Sequence, residues 1–185
     1  MDLPWNVVVV TGVPGVGKTT LCRRVSKDLG YNYINYGDLM LDIAKSEDLA
    51  STDSEMFSLD IDAQQKIWNG AALKIKDMGR VLVDLHGVDQ SPIGYILSLP
   101  IEVISPDIIV VIESSMDNIL GRRHKDTKER IVDTINSLNE HMNMLRISMA
   151  VCSALLGCNL MVLENDDFED CLMKLKNLLG TGMVL

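Results

Sequence analysis

Residues 12 to 19 read GVPGVGKT, a G-x-x-x-x-G-K-[ST] run between an apolar VVVV segment and a stretch with helical apolar spacing. Such a run binds phosphate. The loop of Gly12, Gly15, Val16 and Gly17 turns backbone N–H groups toward phosphate oxygens, and the following helix adds its positive N-terminal end. Lys18 reaches the β- and γ-phosphates of ATP or GTP as a point charge. The Thr19 hydroxyl is placed to ligate Mg²⁺, and Thr20 can donate to the α-phosphate.

A second group of candidates lies further along. VLVDLHG at 81 to 87 puts Asp84 at the end of an apolar segment, where it either holds Mg²⁺ through water or caps the next loop. His86 either touches a substrate or hydrogen-bonds its own loop. Arg122, Arg123, Lys128 and Arg130 crowd a segment without core spacing, RRHKDTKER at 122 to 130. They form either scattered surface charge or a cationic lid over transferring phosphates, where electrostatic positioning supplies most of the catalysis. Arg146 stands beside Leu145 at the edge of an apolar stripe, where a guanidinium needs an anionic partner, either a phosphate or a carboxylate.

These residues need a scaffold, and the apolar pattern supplies one. Val7 to Val10 has no polar alternation, as expected of a strand covered on both faces. Tyr31–Tyr36, Val81–Asp84, Asp107–Ile112 and Asn159–Leu163 are similar, and the stretches between them are long enough for helical crossovers. The alternation predicts an α/β fold, a five-stranded parallel sheet between two helix layers. Leu21, Val25 and Leu29 mark a helix after the loop, ending at Gly30. Ile131, Ile135, Leu138, Met142, Leu145, Met149, Cys152 and Leu156 step by fours and threes to predict one long core helix. A closing amphipathic helix runs over Phe168–Leu179, followed by a GTGMVL tail expected to fray. Residues 46 to 66 and 122 to 130 are polar and fit the core pattern poorly, which makes them candidate mobile covers.

With 185 residues the chain fits one domain, and 47% apolar residues suffice for its core. IIVVI at 108 to 112 is too short to cross a bilayer, and MDLPWN leads into VVVV without a secretory leader, so a soluble cytoplasmic protein is expected. The net charge of -9 disfavours a nonspecific nucleic-acid surface. Cys22, Cys152, Cys158 and Cys171 lack CxxC or zinc-finger spacing and read as buried free thiols rather than disulfide or metal partners.

Almost the whole chain resembles the archaeal type of adenylate kinase, in the P-loop nucleoside monophosphate kinase family. The resemblance rests on an ordered series: GVPGVGKTT at 12 to 20, INYGDLM at 34 to 40, VDLHG at 83 to 87, SPIGY at 91 to 95, PDIIVVIES at 106 to 114, ILGRR at 119 to 123, and EHMNMLRISMAVCSALLG at 140 to 157. It implies a P-loop NTPase fold with small inserts, an acceptor-binding one over 42–75 and a lid over 122–133. It implies Mg·ATP on the loop and AMP, or another nucleoside monophosphate, accepting the γ-phosphoryl group. Arg122 matches the arginine that stacks on the ATP base. Lys128, Arg130 and Arg146 match residues brought to the phosphates, with Arg130 and Arg146 catalytic alongside Lys18. Tyr36, Gly37 and Met40 match the turn that receives the acceptor base, and His86 and Tyr95 join the substrate side. Homotrimers are frequent in the family, and the apolar helices permit one here.

The chain departs from the family pattern on the acceptor side. Phe57 replaces the arginine expected to grip the monophosphate, Leu41 occupies the place where bacterial-type enzymes carry theirs, and Ile93 and Lys128 replace a lysine and an arginine. Neither an ammonium nor an apolar side chain holds two phosphate oxygens in plane. Lys66 and Lys74 are the nearest replacement cations. Two alternatives therefore stand beside an adenylate kinase. One is a kinase for another monophosphate or a small alcohol; the other is an ATP-hydrolysing switch acting with a protein or ribonucleoprotein.

Overall fold

The computed structural model describes residues 3–91, 94–124 and 135–183. Five strands, β1 (Val7–Thr11), β2 (Asn32–Asn35), β3 (Val81–Asp84), β6 (Ile108–Glu113) and β7 (Asn159–Glu164), form one sheet in the order β2-β3-β1-β6-β7. Every pairing is parallel, with Val9 opposite Val83 on one side and Ile109 on the other. β1, β3 and β6 are the all-apolar runs of the sequence and are covered on both faces; Val8, Val9 and Val10 are wholly buried. Beyond β3 the chain crosses to the other side of β1 to lay down β6 and β7. That crossing opens the crevice at the carboxyl ends of β1, β3 and β6, where open α/β sheets bind ligands.

Helix α1 (Lys18–Leu29) buries Leu21, Cys22 and Val25 and stops at Gly30, as its spacing predicts. Tyr36 ends the second strand early and opens α2 (Tyr36–Ser46), because the Asn35 side chain accepts from the Asp38 N–H as an N-cap. The polar segment from 46 to 66, a candidate cover, is mostly helical. Thr52 caps α3 (Asp53–Ser58) and Asp60 caps α4 (Ile61–Lys76), each accepting from the N–H three residues on. α3 is mostly polar and α4 mixed, and Met56, Ile67, Ala71, Ala72 and Ile75 are buried against the core.

An antiparallel hairpin, β4 (Val88–Ser91) and β5 (Gly94–Leu97), leads through residues 98 to 107 to β6; its strands, four residues each, are too short to read from sequence. Helix α5 (Met116–His124) follows β6. The long helix, α6 (Ile135–Leu156), keeps the expected stripe, with Leu138, Leu145, Met149 and Cys152 buried; its start at 131 to 134 lies outside the described residues.

Helix α7 (Phe168–Thr181) continues two residues past the expected end. Part of the tail expected to fray is held, since the Gly182 N–H donates to the Leu178 carbonyl at 2.9 Å. All four cysteines are free, with Cys22, Cys152 and Cys171 buried and Cys158 half-buried, and burial pushes each thiol up. No described helix is long and apolar enough to cross a membrane.

Candidate active site

The glycine loop joins the carboxyl end of β1 to α1, and close approach fixes its sequence. Gly12 and Gly17 have φ of 155° and 91°, in the region glycine alone enters freely. A Cβ on Gly12 would press into the Ile112 carbonyl, and one on Gly17 would lie 2.6 Å from the Asn165 side-chain nitrogen. Gly17 is the N-cap of α1 and brings no side chain of its own, so the first-turn N–H groups face the cleft. The Lys18 ammonium folds back to donate to the Gly12 carbonyl at 2.5 Å, which keeps it inside the loop.

Asp84 ends β3 beside β1, in register with Val10 and Asn35. Its Oδ2 accepts from the Thr19 hydroxyl at 2.7 Å, the Tyr33 phenol at 3.2 Å and the Asn35 amide at 3.4 Å. Burial, then the charge of Asp84, push Tyr33 up, so its phenol remains a donor. The carboxylate is 3% exposed. A hydroxyl and a buried carboxylate in contact are hard oxygen donors that suit Mg²⁺, an ion that takes its other ligands from water and phosphate. Among the described residues no group of three or more His, Cys, Asp or Glu stands together as a metal cage.

Two adjoining clefts meet at the loop. The larger, about 550 Å³, is lined by Gly15, Gly17, Lys18, Thr19, Thr20 and Arg122; the smaller, about 100 Å³, by Tyr36, Gly37, Met40, Asp84, His86 and Asp89. Lys18, Thr19, Asn35, Gly37, Phe57 and His86 line both, so the predicted donor and acceptor residues form one continuous surface. His86 keeps its own loop partner as well, its Nδ1 lying 3.0 Å from the Asp89 carboxylate. Burial raises Asp89, but the hydrogen bond and charge of His86, with Ser98 and His141 nearby, more than offset this and hold it below the usual range.

The predicted arginines take defined places. Arg122 donates to the Val16 carbonyl at 3.0 Å, the Ser114 hydroxyl at 3.2 Å and the Asn165 carbonyl at 2.7 Å, clamping α5 and the end of β7 to the loop. Arg123 donates to the Pro14 carbonyl at 2.8 Å. Arg146 forms a two-point ion pair with Glu113, with its Nε at 2.8 Å, and that pair pushes it up. It does not line either cleft; its Nη1 has no partner among the described residues, and its side chain is 56% exposed. Tyr95 also stands outside both clefts, its ring 5.6 Å from that of His141. Lys66 is ion-paired with Glu47, and Lys128 and Arg130 lie outside the described residues, as does most of the expected lid.

Sequence reasoning missed Asn165, whose Nδ2 donates to the Val16 carbonyl at 2.6 Å, and Glu113, the partner of Arg146. Asn165 belongs to no local motif; Glu113 lies in PDIIVVIES, but nothing in that run marks it as the partner of Arg146. Asn35 was also missed; its place directly before YGDLM was the one available signal.

A family of P-loop proteins described as AAA domain matches residues 11–139. An adenylate kinase homolog of Methanothermobacter thermautotrophicus is 51% identical over 165 residues, 89% of this chain and 87% of that protein. Adenylate kinases of Methanopyrus kandleri and Methanocaldococcus jannaschii are 40% and 35% identical, over 87% and 88% of this chain and 90% and 91% of theirs. Among solved structures, shikimate kinase from Acinetobacter baumannii aligns with a TM-score of 0.63 at 15% identity, covering 95% of this chain and 93% of that one. The enzyme from Bacteroides thetaiotaomicron aligns at 0.61 and 15%, covering 93% and 97%, and the two establish the fold alone. The near full-length likeness to archaeal enzymes, on a P-loop kinase fold with donor and acceptor surfaces joined at Lys18, shows that this chain belongs to the adenylate kinase family.

Proposed function

We propose that the protein transfers the γ-phosphoryl group of Mg·ATP to AMP, giving two molecules of ADP. One observation carries the reading: Lys18 and Thr19 line both the glycine-loop cleft and the smaller cleft of Tyr36, Gly37 and Met40. A phosphoryl group passing between the two stays beside the same ammonium. In the transfer, an oxygen of the AMP phosphate forms a bond to the γ-phosphorus as the bond to the β,γ-bridging oxygen breaks. AMP attacks as an anion, so no general base is required, and positioning with charge stabilisation supplies the rate.

Each residue has a part in this. The loop amides and Lys18 hold the β- and γ-oxygens, while Arg122 braces the loop from behind and presents its guanidinium plane on the ATP-base side. Thr19 and Asp84 hold Mg²⁺, which when bound neutralises charge building on the phosphates. Glu113 holds Arg146 at the carboxyl end of β6, outside both clefts, so Arg146 reaches a phosphate only by turning from that place. Arg130 and Lys128 add cations from the lid. The 42–75 segment forms the acceptor wall.

An acceptor panel of AMP, CMP, UMP, GMP and small alcohols, followed by ADP release with and without EDTA, tests the reading. AMP is expected to be preferred and activity to vanish with EDTA. A different preferred acceptor would replace the substrate assignment, and ATP hydrolysis indifferent to every acceptor would replace the reaction.

A further inference from the structure

Asn165 stands behind the glycine loop, and none of the steps above uses it. It is 1% exposed, and its main chain is fixed on both sides. Its N–H donates to the Glu113 carbonyl at 2.7 Å, one step beyond the last β6–β7 pair. Its carbonyl accepts from the Arg122 guanidinium at 2.7 Å and the Ser114 hydroxyl at 3.1 Å. From that base the side-chain Nδ2 donates to the Val16 carbonyl at 2.6 Å, next to Arg122 at 3.0 Å, and lies over Gly17 where any other residue would carry a Cβ. The Oδ1 atom is buried, and no group among the described residues donates to it. A buried acceptor without a donor disfavours folding, so its presence here needs a reason.

The reason lies in the peptide between Val16 and Gly17. In a trans peptide the C=O and the N–H point to opposite sides, so pinning the Val16 oxygen toward Asn165 and Arg122 turns the Gly17 N–H the other way. That N–H has no partner among the described residues, and Gly17 lines the larger cleft together with Lys18 and Thr19. We propose that Asn165 is a positioning residue for the donor phosphates: by holding the Val16 carbonyl it aims the Gly17 N–H at the polyphosphate oxygens before the nucleotide arrives. The assignment rests on the donor half of the reading above and on nothing at the acceptor side. A donor already aimed needs no reordering when the anion binds, and the benefit appears as phosphate affinity. The partnerless Oδ1 comes with the carboxamide whose Nδ2 does this, and functional sites keep such groups where stability alone would remove them.

The test uses binding alone. Asn165→Leu keeps the branched shape and removes both polar atoms. The Val16 carbonyl retains Arg122 and the partnerless Oδ1 is gone, so the melting temperature without ligand is expected to hold or rise. Calorimetric Kd is expected to rise about tenfold both for ATP and for tripolyphosphate, which has no base. In the parent protein, tripolyphosphate is expected to move the Gly17 amide proton downfield by NMR, and to move it less in Asn165→Leu. The proposal is overturned if the Gly17 amide of the parent does not respond, or if Asn165→Leu binds tripolyphosphate within about twofold of the parent. A melting temperature well below that of the parent would mark the contact as structural and overturn it too, as would weaker ATP binding with tripolyphosphate unaffected. No acceptor is present in these measurements, so a protein that phosphorylates something other than AMP, or only hydrolyses ATP, would refute the reaction and leave this role of Asn165 standing.

Discussion

Thr19 and Asp84 bring a β1–α1 loop and a β3 terminus to one point, and the chemistry depends on both ends of that contact. Lys18→Ala removes the only ammonium among the described residues that lines both clefts; kcat for ADP formation is expected to fall about a thousandfold with the fold intact by circular dichroism. Asp84→Asn keeps a side chain able to accept from Tyr33 and loses the charge, so the Mg²⁺ concentration for half-maximal activity should rise at least about tenfold. Phe57→Arg supplies a bidentate partner where the two clefts meet and should lower KM for AMP; an unchanged AMP KM would show that position 57 does not face the acceptor phosphate. The loop residues and Asp84 were legible because their geometry is local: a motif between strand and helix, and a carboxylate at a strand end. Asn165 was not, because it reaches Val16 from 149 residues away and no spacing records that contact.

Three of the five strands, β1, β3 and β6, announce themselves because burial on both faces leaves them almost wholly apolar, as Ile108–Glu113 shows with every residue buried. Helix α3 and the first turn of α4 were hidden for the converse reason. α3 buries only Met56, and at the start of α4 the polar Asp60, Asp62, Gln64, Gln65 and Lys66 come before the buried row that begins at Ile67. At the loop, Gly17→Ala forces a Cβ toward Asn165 at a φ of 91°; destabilisation of about 1–3 kcal/mol and loss of ATP binding should appear together in thermal melts with and without nucleotide. Asp166 fastens the β7–α7 turn to the start of α5, accepting from the Ser115 N–H and Ser114 hydroxyl, each at 2.7 Å, and from Asn118 at 3.0 Å. The Ser115 N–H, then the Ser114 hydroxyl and Asn118, hold its carboxyl below the ordinary carboxylate range. A depressed pKa contributes stability that is complete above the unfolded value, about 4, and is lost as pH falls through the folded one. Asp166→Ala should therefore melt below the parent at neutral pH, and the difference should shrink as pH drops below about 4.

As a whole, the molecule presents a sheet whose carboxyl edge carries the site and a long helix whose far side is bare. Ile147, Val151 and Leu155 project from α6 at 59, 53 and 71% exposure, an apolar row that suits contact between copies. Light scattering is expected to give about three times the 20.5 kDa chain mass, reduced to one in a Val151→Glu, Leu155→Glu double variant. A monomeric parent would contradict the trimer without touching the chemistry. That chemistry is tested most directly by mixing the protein with ATP, Mg²⁺ and AMP and following all three nucleotides by phosphorus NMR. Two ADP should appear for each AMP consumed, and none with Lys18→Ala. Inorganic phosphate appearing in place of the second ADP, or ADP formation that survives the loss of Lys18, would contradict phosphoryl transfer across the glycine loop.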